Sequence, residues 1–261
     1  MSDVRLQLKN VSQFFNEGTP NEVRALSNIN LTINSGELVV IVGENGSGKS
    51  CLLKSIFSGQ ITNGSVYFNN CDITYMPEFK RSRYFGYVNQ RTEEGSAGEF
   101  TIMENLLLAS LKRKKPTIKK AQKHKIRSNF IEEISLYNDE LIDRVDMPVA
   151  SLSGGQRQVI CLMMAFAGGS DMLLCDEPTA SIDAEKSYQI EKMIINYANR
   201  VKNPILWVTH DHNQAVRIGN RLLIMKNGCI IKDLKEDMKD SVTVEDIRRW
   251  TLCDQKIAET N

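Results

Sequence analysis

The chain has 261 residues, of which 41% are hydrophobic and 25% charged, and its formal net charge is +1. These values indicate an ordinary globular protein of one large domain or two small ones, and they give no general reason to expect nucleic-acid binding. No uninterrupted apolar stretch approaches the about 20 residues that cross a bilayer, and six scattered cysteines form no C-x-x-C pair, so we expect a cytosolic protein with reduced, buried cysteines and no structural metal.

The first ninety residues predict mainly strands. Apolar and polar residues alternate over 4–11 and 23–33, which is typical of half-buried strands in an antiparallel sheet. Residues 37–42, ELVVIV, are apolar at almost every position, as in a strand that is covered on both faces. A helix should begin within the glycine loop that follows and end near Gly59. A hairpin at 64–73 and a strand at 84–90 complete this part.

Residues 91–150 have helical spacing and no strong strand pattern, and we predict that they form a helical insertion. A glycine turn then opens an apolar helix in LSGGQRQVICLMMAFAG. Two further strands are predicted at 171–177 and 204–210, separated by a helix. The pair Asn227-Gly228 predicts a hairpin over 222–232. The segment TVEDIRRW predicts a short helix with acidic residues in its first turn.

The segment GENGSGKS, residues 43–50, matches the phosphate-loop pattern G-x-x-x-x-G-K-[ST]. Its glycines let the backbone N–H groups surround a phosphate at the start of a helix. Lys49 adds a positive charge on the β- and γ-phosphates, and Ser50 offers a hydroxyl to Mg²⁺. The predicted phosphate-loop residues are Gly43, Glu44, Asn45, Gly46, Ser47, Gly48, Lys49, Ser50 and Cys51.

A phosphate loop also needs a carboxylate strand for the metal, and MLLCDE supplies one. Asp176 can reach Mg²⁺ through water, and Glu177 is placed to polarise an attacking water. A second anion cradle follows from LSGGQRQ, in which Ser153, Gly154, Gly155 and Gln156 open a different helix. One nucleotide rarely needs two γ-phosphate cradles in the same chain.

With these motifs in this order, the sequence resembles the ATP-binding cassette ATPases, the nucleotide-binding subunits of ABC transporters. The resemblance implies an α/β P-loop NTPase fold with a mostly parallel core sheet, an N-terminal antiparallel β-subdomain and an inserted helical subdomain. We expect one domain over residues 1–261, with the core and β-subdomain at 1–90 and 151–261 and the helical subdomain at 91–150. In this family the serine-glycine motif of one subunit caps ATP on the phosphate loop of the other, which implies a head-to-tail homodimer around two ATP–Mg²⁺.

The resemblance also assigns roles to single residues. Gln90 matches the glutamine that senses Mg²⁺ and the attacking water, and His210 matches the histidine that orients the γ-phosphate. Asp183 matches the loop that reaches across the dimer, and Phe15 matches the aromatic residue that stacks on adenine. Cys51 departs from the family's usual threonine or serine, but its backbone N–H remains, so we expect ATP binding to persist.

Three stretches resemble putative tryptophan/tyrosine-type importer ATPases that work with a binding protein: NEVRALSNINLTI, QRTEEGSAGEFTIMENLLLASLKRKK and DMPVASLSGGQRQ. The first of these also resembles lipoprotein-release and macrolide-efflux ATPases. The resemblance implies an integral-membrane permease as partner, a solute-binding protein that acts through the permease, no nucleic acid, and a location at the cytoplasmic face of the cell membrane. We favour import of a small solute such as an amino acid. Direction and substrate are properties of the permease. The basic segment 112–127 is either a solvated helix face or a contact with anionic lipid headgroups.

Two alternatives from other classes stay open. A soluble cassette ATPase of an assembly system would share every motif, and it would not bring a permease with it on purification. A phosphate-loop kinase would need an acceptor-binding lid and would give no role to LSGGQ.

Overall fold

The structure is a computed structural model that describes residues 3–112, 120–136, 139–180 and 182–252. The chain divides into two units, Met1–Tyr75 with Leu206–Asn261 and Met76–Ile205. Each unit is described by itself. The second unit contains the predicted helical insertion together with core elements on either side of it, and the predicted subdomain boundaries at 91 and 150 stay a prediction.

The described residues begin with three strands, and helices and further strands follow along the chain. The strands are β1 (Val4–Phe15), β2 (Val23–Asn34), β3 (Leu38–Val42), β4 (Asn63–Phe68), β5 (Cys71–Asp72), β6 (Phe85–Val88), β7 (Met172–Asp176), β8 (Ile205–Val208), β9 (Arg221–Lys226) and β10 (Cys229–Lys235). The helices are α1 (Lys49–Phe57), α2 (Glu78–Arg81), α3 (Thr92–Gly95), α4 (Ile102–Ser110), α5 (Lys120–Ser135), α6 (Gly154–Ala167), α7 (Ala184–Val201), α8 (His212–Arg217), α9 (Glu236–Asp240) and α10 (Val244–Leu252).

The first unit begins with an antiparallel sheet in the order β2-β1-β4-β5. Its core face carries the apolar residues of the alternating pattern, such as Leu6 and Leu8, which are fully buried. The predicted strands at 4–11 and 23–33 and the predicted hairpin at 64–73 are confirmed. β1 runs four residues beyond its prediction because its far end pairs with β2 as far as Phe15 and Val23.

The first unit also holds the strand order β10-β9-β3-β8. All five residues of β3 are buried and the strand pairs in parallel with β9, as the continuous apolar run predicts. β9 and β10 are antiparallel, and the two turn residues, Asn227 and Gly228, have φ angles of 49° and 76°. Both values are positive, as a two-residue hairpin of this twist requires.

The second unit pairs β6 with β7 in parallel and surrounds them with helices. Within 91–150 its described residues form α3, α4, α5 and short 3₁₀ turns, and their strand-like pairing is the single bridge between Thr101 and Pro148. The predicted mostly helical character of this insertion is therefore confirmed for the described part. Residues 113–119 of the basic segment lie outside the described residues.

Local side-chain bonds determine where several helices begin. Thr101 and Glu104 form a capping box at the start of α4, and Ser153 and Gln156 form another at the start of α6. Asp183 accepts a backbone bond at the start of α7. The part of the chain that is described contains no helix with both the length and the apolarity that a membrane span requires.

One expectation about the cysteines is wrong. The five described cysteines form no disulfide, but only Cys161 and Cys175 are buried. Cys71 is exposed because it lies in the two-residue edge strand β5, both of whose residues face solvent. Cys51 and Cys229 are partly exposed.

Candidate functional site

The phosphate loop connects the buried strand β3 to helix α1 in the first unit. The loop packs tightly where its glycines lie, since a Cβ atom on Gly43 would collide with the carbonyl oxygen of Met225. Gly48 has a φ of 100°, which only glycine adopts readily, and a Cβ there would collide with the carbonyl oxygen of Ala25. The glycines at both ends of the motif are therefore required by the fold of the loop.

The side chain of Lys49 folds back over the loop that precedes it. Its Nζ donates to the carbonyl oxygens of Gly43 and Glu44, at 2.8 and 2.9 Å, and the residue is only 6% exposed. The ammonium group is thus held above the loop as a fixed positive charge. A fixed charge at this position suits the β- and γ-phosphates of a nucleotide.

The donor set of the loop fits a nucleotide phosphate. The Oγ atom of Ser47 is buried and has no hydrogen-bond partner in the structure. The first backbone N–H groups of α1 have no partner within their own helix and point toward the loop with the positive end of the helix dipole. Glu44, Asn45, Gly46 and Ser50 are exposed along the rim, and the Ser50 hydroxyl supplies an oxygen of the kind that Mg²⁺ prefers.

The predicted carboxylates lie at the end of β7 in the second unit. Asp176 is 7% exposed and accepts a hydrogen bond from the Tyr87 hydroxyl at 3.2 Å. Burial raises the pKa of Tyr87 and the nearby Asp176 charge raises it further, so this hydroxyl stays protonated and remains a donor. Tyr87, which lies 89 residues from Asp176 in the chain, was not identified from the sequence. Its position three residues before Gln90 could have drawn attention to it.

Glu177 follows Asp176 with an unusual backbone conformation. Its φ is 49°, a left-handed value that costs a non-glycine residue roughly 1–2 kcal/mol. Its Oε2 accepts a hydrogen bond from Nε2 of Gln90 at 3.2 Å. The structure therefore brings together two residues that were assigned to the attacking water from separate motifs.

Helix α6 begins at the serine-glycine motif, also in the second unit. Ser153 Oγ accepts from the Gln156 backbone N–H at 3.3 Å, and Gln156 Oε1 accepts from the Ser153 N–H at 3.2 Å. Ser153 and Gly154 are exposed, and a Cβ on Gly154 would meet nothing within 4 Å. A groove beside this turn is lined by Gly155, Gln156 and Asp183. The start of α6 is therefore open at Gly154, whereas a Cβ on Gly155 would lie 2.6 Å from the Cδ atom of Lys186.

The remaining predicted residues lie at element ends. Asp183 caps α7, and the Lys186 hydrogen bond and charge lower the pKa of its carboxyl group. His210 is exposed two residues after the end of β8, and Asp211, the residue that follows it, caps α8. Phe15 is 42% exposed at the end of β1. The phosphate loop, Phe15 and His210 belong to the first unit, and Gln90, Asp176, Glu177, Ser153 and Asp183 belong to the second.

A phosphate loop between a buried parallel strand and a helix, together with an acidic strand end, defines a P-loop nucleotide-binding protein, and the serine-glycine start of α6 is the feature typical of the ATP-binding cassette class. The family model described as "ABC transporter" matches residues 26–180. The chain belongs to this family and is an ATPase. The predicted fold class is confirmed as well.

Three curated relatives illustrate the range of proteins to which the chain is similar. The "Tyrosine transport ATP-binding protein" of Clostridioides difficile is 36% identical over 248 residues, which are 93% of this chain and 96% of that protein. The "Methionine import ATP-binding protein MetN 2" of Oenococcus oeni is 30% identical, over 89% of this chain and 65% of that protein. The "Macrolide export ATP-binding/permease protein MacB" of Haemophilus ducreyi is 30% identical, over 99% of this chain and 36% of that protein. The predicted resemblance to tyrosine-type and macrolide-export ATPases is confirmed.

Solved structures give the same family. A dimeric ATP-binding cassette, MJ0796, in a post-hydrolysis state bound to ADP and Pi has a TM-score of 0.76 at 26% identity, covering 88% of this chain and 98% of that one. A nucleotide-free ATP-binding cassette from an ABC transporter has a TM-score of 0.74 at 25% identity, covering 98% of both chains.

Proposed function

We propose that the chain binds ATP–Mg²⁺, dimerises head-to-tail around two nucleotides, and drives a separate integral-membrane permease at the cytoplasmic face of the cell membrane. The loop from Gly43 to Cys51 holds the phosphates and Phe15 stacks on adenine. Ser50, Gln90 and Asp176 would supply the oxygen atoms that hold the metal. Ser153 to Gln156 and Asp183 of the second copy complete each site.

The mechanism follows from the positions of the charged and polar groups. Mg²⁺, when bound, neutralises charge on the β- and γ-phosphates. Lys49, already fixed over the loop, adds a second positive charge there. Glu177 accepts a proton from the attacking water, and Gln90, bonded to Glu177, aligns the carboxylate with that water. His210, exposed two residues after the end of β8, orients the γ-phosphate.

The observation that carries this proposal is the exposed start of α6. The chain already provides a complete phosphate loop with its own lysine and helix N-terminus, so one ATP does not need another cradle. Ser153 and Gly154 nevertheless form a second uncrowded helix start, with a capping box to fix its geometry. A second copy of the chain, with ATP on its own phosphate loop, is the partner that this surface fits. The dimeric MJ0796 cassette bound to ADP and Pi supports this arrangement.

The transported solute is proposed to be an amino acid, taken up with the help of a solute-binding protein that meets the permease. Similarity to the Clostridioides difficile tyrosine transport protein over nearly the full length of both chains supports this choice. The similarity to MacB supports export as the second candidate, although this chain spans only 36% of that protein.

The test of the ATPase proposal is the Glu177→Gln variant. Loss of the carboxylate should leave ATP bound and unhydrolysed, so gel filtration with light scattering should show a species of about twice the 29.5 kDa of one chain when ATP–Mg²⁺ is present. Glu132→Gln, a change of an exposed glutamate in α5 of the same unit, should hydrolyse ATP like the wild type and show no trapped dimer. A Glu177→Gln protein that stays monomeric with saturating ATP would contradict the proposal.

The permease proposal has a separate test. Purification of the tagged chain from detergent-solubilised membranes should bring a polytopic membrane protein with it, whereas a soluble assembly ATPase would not. Vesicles that contain the complex, with the ATPase outside, should then distinguish the two directions. ATP-dependent release of preloaded labelled tyrosine supports import, and ATP-dependent accumulation of a labelled macrolide supports export.

A further inference from the structure

Helix α6 is tied to the segment that follows Gln90. The Arg157 side chain, one turn after Ser153, is only 15% exposed, and its Nη1 donates to Glu93 Oε1 at 2.9 Å. Its Nη2 donates to the carbonyl oxygen of Ala150 at 3.1 Å, just before the serine-glycine motif. We call the contact between Arg157 and Glu93 the clasp. It joins residues 64 positions apart within the second unit.

A second contact, one turn further along α6, strengthens this connection. The Cys161 thiol lies 3.6 Å from the carbonyl oxygen of Thr92, and it is the atom that a Cβ on Gly95 would meet, at 3.2 Å. The short helix α3 therefore packs closely against the first two turns of α6. The clasp fixes one end of this contact and the thiol fixes the other.

The clasp contributes little to folding stability. The Glu93 side chain is 70% exposed, and ion pairs with such an exposed partner contribute weakly. The Arg157 Nε atom is buried without a hydrogen-bond partner, so the arginine is not satisfied at every donor. The contact can therefore restrain the position of Glu93 relative to α6 while adding little to the stability of the fold.

The clasp links the start of α6 to the segment that contains Gln90, and both belong to the proposed ATPase site. Glu93 lies three residues after Gln90, and a backbone bond from Glu94 to Arg91, at 3.2 Å, makes this stretch a single turn. Gln90 in turn donates to Glu177. The start of α6 is therefore connected to the catalytic residues in three steps: Arg157 contacts Glu93, the backbone turn joins Glu93 to Gln90, and Gln90 donates to Glu177.

We propose that Arg157 is a positioning residue that holds Gln90 in register with Ser153. This inference rests on the proposed function, in which Ser153 meets the partner copy's ATP while Gln90 and Glu177 act on the chain's own ATP. The clasp then couples the two nucleotides of the dimer. Engagement of α6 by one ATP sets the position of the glutamine that serves the other.

The experiment measures ATP hydrolysis by the full-length chain with Glu93→Gln, which removes the acceptor charge at an exposed position and therefore preserves the fold. The matched control is Asp146→Asn. Asp146 is 71% exposed and forms a comparable ion pair with Arg127 at 2.7 Å in the same unit. The hydrogen bonds of this pair join these two side chains and do not involve Gln90 or α6. We expect Glu93→Gln to lower kcat about threefold to fivefold with an unchanged KM for ATP, and Asp146→Asn to leave both unchanged.

Two further measurements separate positioning from a structural role. The midpoint of urea unfolding should shift no more for Glu93→Gln than for Asp146→Asn. The reversed pair, Arg157→Glu with Glu93→Arg, should recover most of the kcat that either single reversal loses. Equal kcat values for Glu93→Gln and Asp146→Asn, or a raised KM with unchanged kcat, would overturn the inference. If the wild-type chain does not hydrolyse ATP and the Glu177→Gln variant does not dimerise, the proposed function itself is refuted.

Discussion

Replacement of Gly48 by alanine tests the geometry of the phosphate loop. Gly48 has a φ of 100°, which costs an alanine roughly 1–2 kcal/mol. The new Cβ would also collide with the Ala25 carbonyl oxygen and lie 3.2 Å from Leu26 Cδ2. Forcing a methyl group into such a packed position costs about 1–3 kcal/mol. Together these effects lower the free energy of unfolding by about 2–5 kcal/mol, a large part of the stability of an ordinary domain.

The matched control is Gly18→Ala. Gly18 also has a positive φ, 75°, but an added Cβ would meet nothing within 4 Å. The control therefore carries the backbone strain of about 1–2 kcal/mol without the collision. Urea unfolding, followed by the fluorescence of the fully buried Trp207, measures both variants, and titration with a fluorescent ATP analogue measures nucleotide affinity. We expect Gly48→Ala to be less stable than Gly18→Ala by about 1–3 kcal/mol and to lose ATP affinity that Gly18→Ala retains. Equal stability of the two variants, together with wild-type affinity for ATP in both, would refute the reasoning.

Two further predictions concern stability. Arg221 is 3% exposed and forms ion pairs with Glu37 and Asp233 at 2.7 and 2.6 Å. Arg221→Met should therefore lower the free energy of unfolding, measured in urea, by about 2–4 kcal/mol. The control Arg248→Met, which breaks an exposed ion pair, should change it by less than about 1 kcal/mol, and equal losses would contradict the prediction. Burial raises the pKa of the Cys161 thiol to about 11, so as the pH rises this thiol loses its proton in the unfolded chain before it does so in the folded one. Its contribution to the free energy of unfolding is therefore fully present below about pH 9 and is lost toward pH 11, by at most about 1.4 kcal/mol per pH unit. Cys161→Ala should show a shallower fall, and an identical slope would contradict the assignment.

Long or strongly patterned elements were predictable from the sequence because their signals are local. The buried run of β3, the alternation in β1 and the Asn227-Gly228 turn each depend on neighbouring residues, and the structure has them where they were predicted. The glycine pattern of the phosphate loop likewise reflects contacts that the loop itself requires. Helix α1 ends two residues before the predicted stop at Gly59, which has a left-handed φ of 75°.

Other features could not be read from local pattern. Helices α2, α3, α8 and α9 have four to six residues, too few to show a helical period. The partners of Asp176 and Arg157 lie 89 and 64 residues away, and only the folded chain brings them together. Tyr87 lies in the predicted strand at 84–90 and Arg157 in LSGGQRQ, but neither pattern says which atom the side chain contacts.

The central claim is that Ser153 of one copy completes the ATP site of the other. The most direct measurement is an experimental structure of the Glu177→Gln protein with ATP–Mg²⁺. We expect a dimer in which Ser153 Oγ of each copy lies within hydrogen-bond distance of the γ-phosphate on the partner's phosphate loop. A structure in which ATP fills the phosphate loop while Ser153 faces solvent would contradict it.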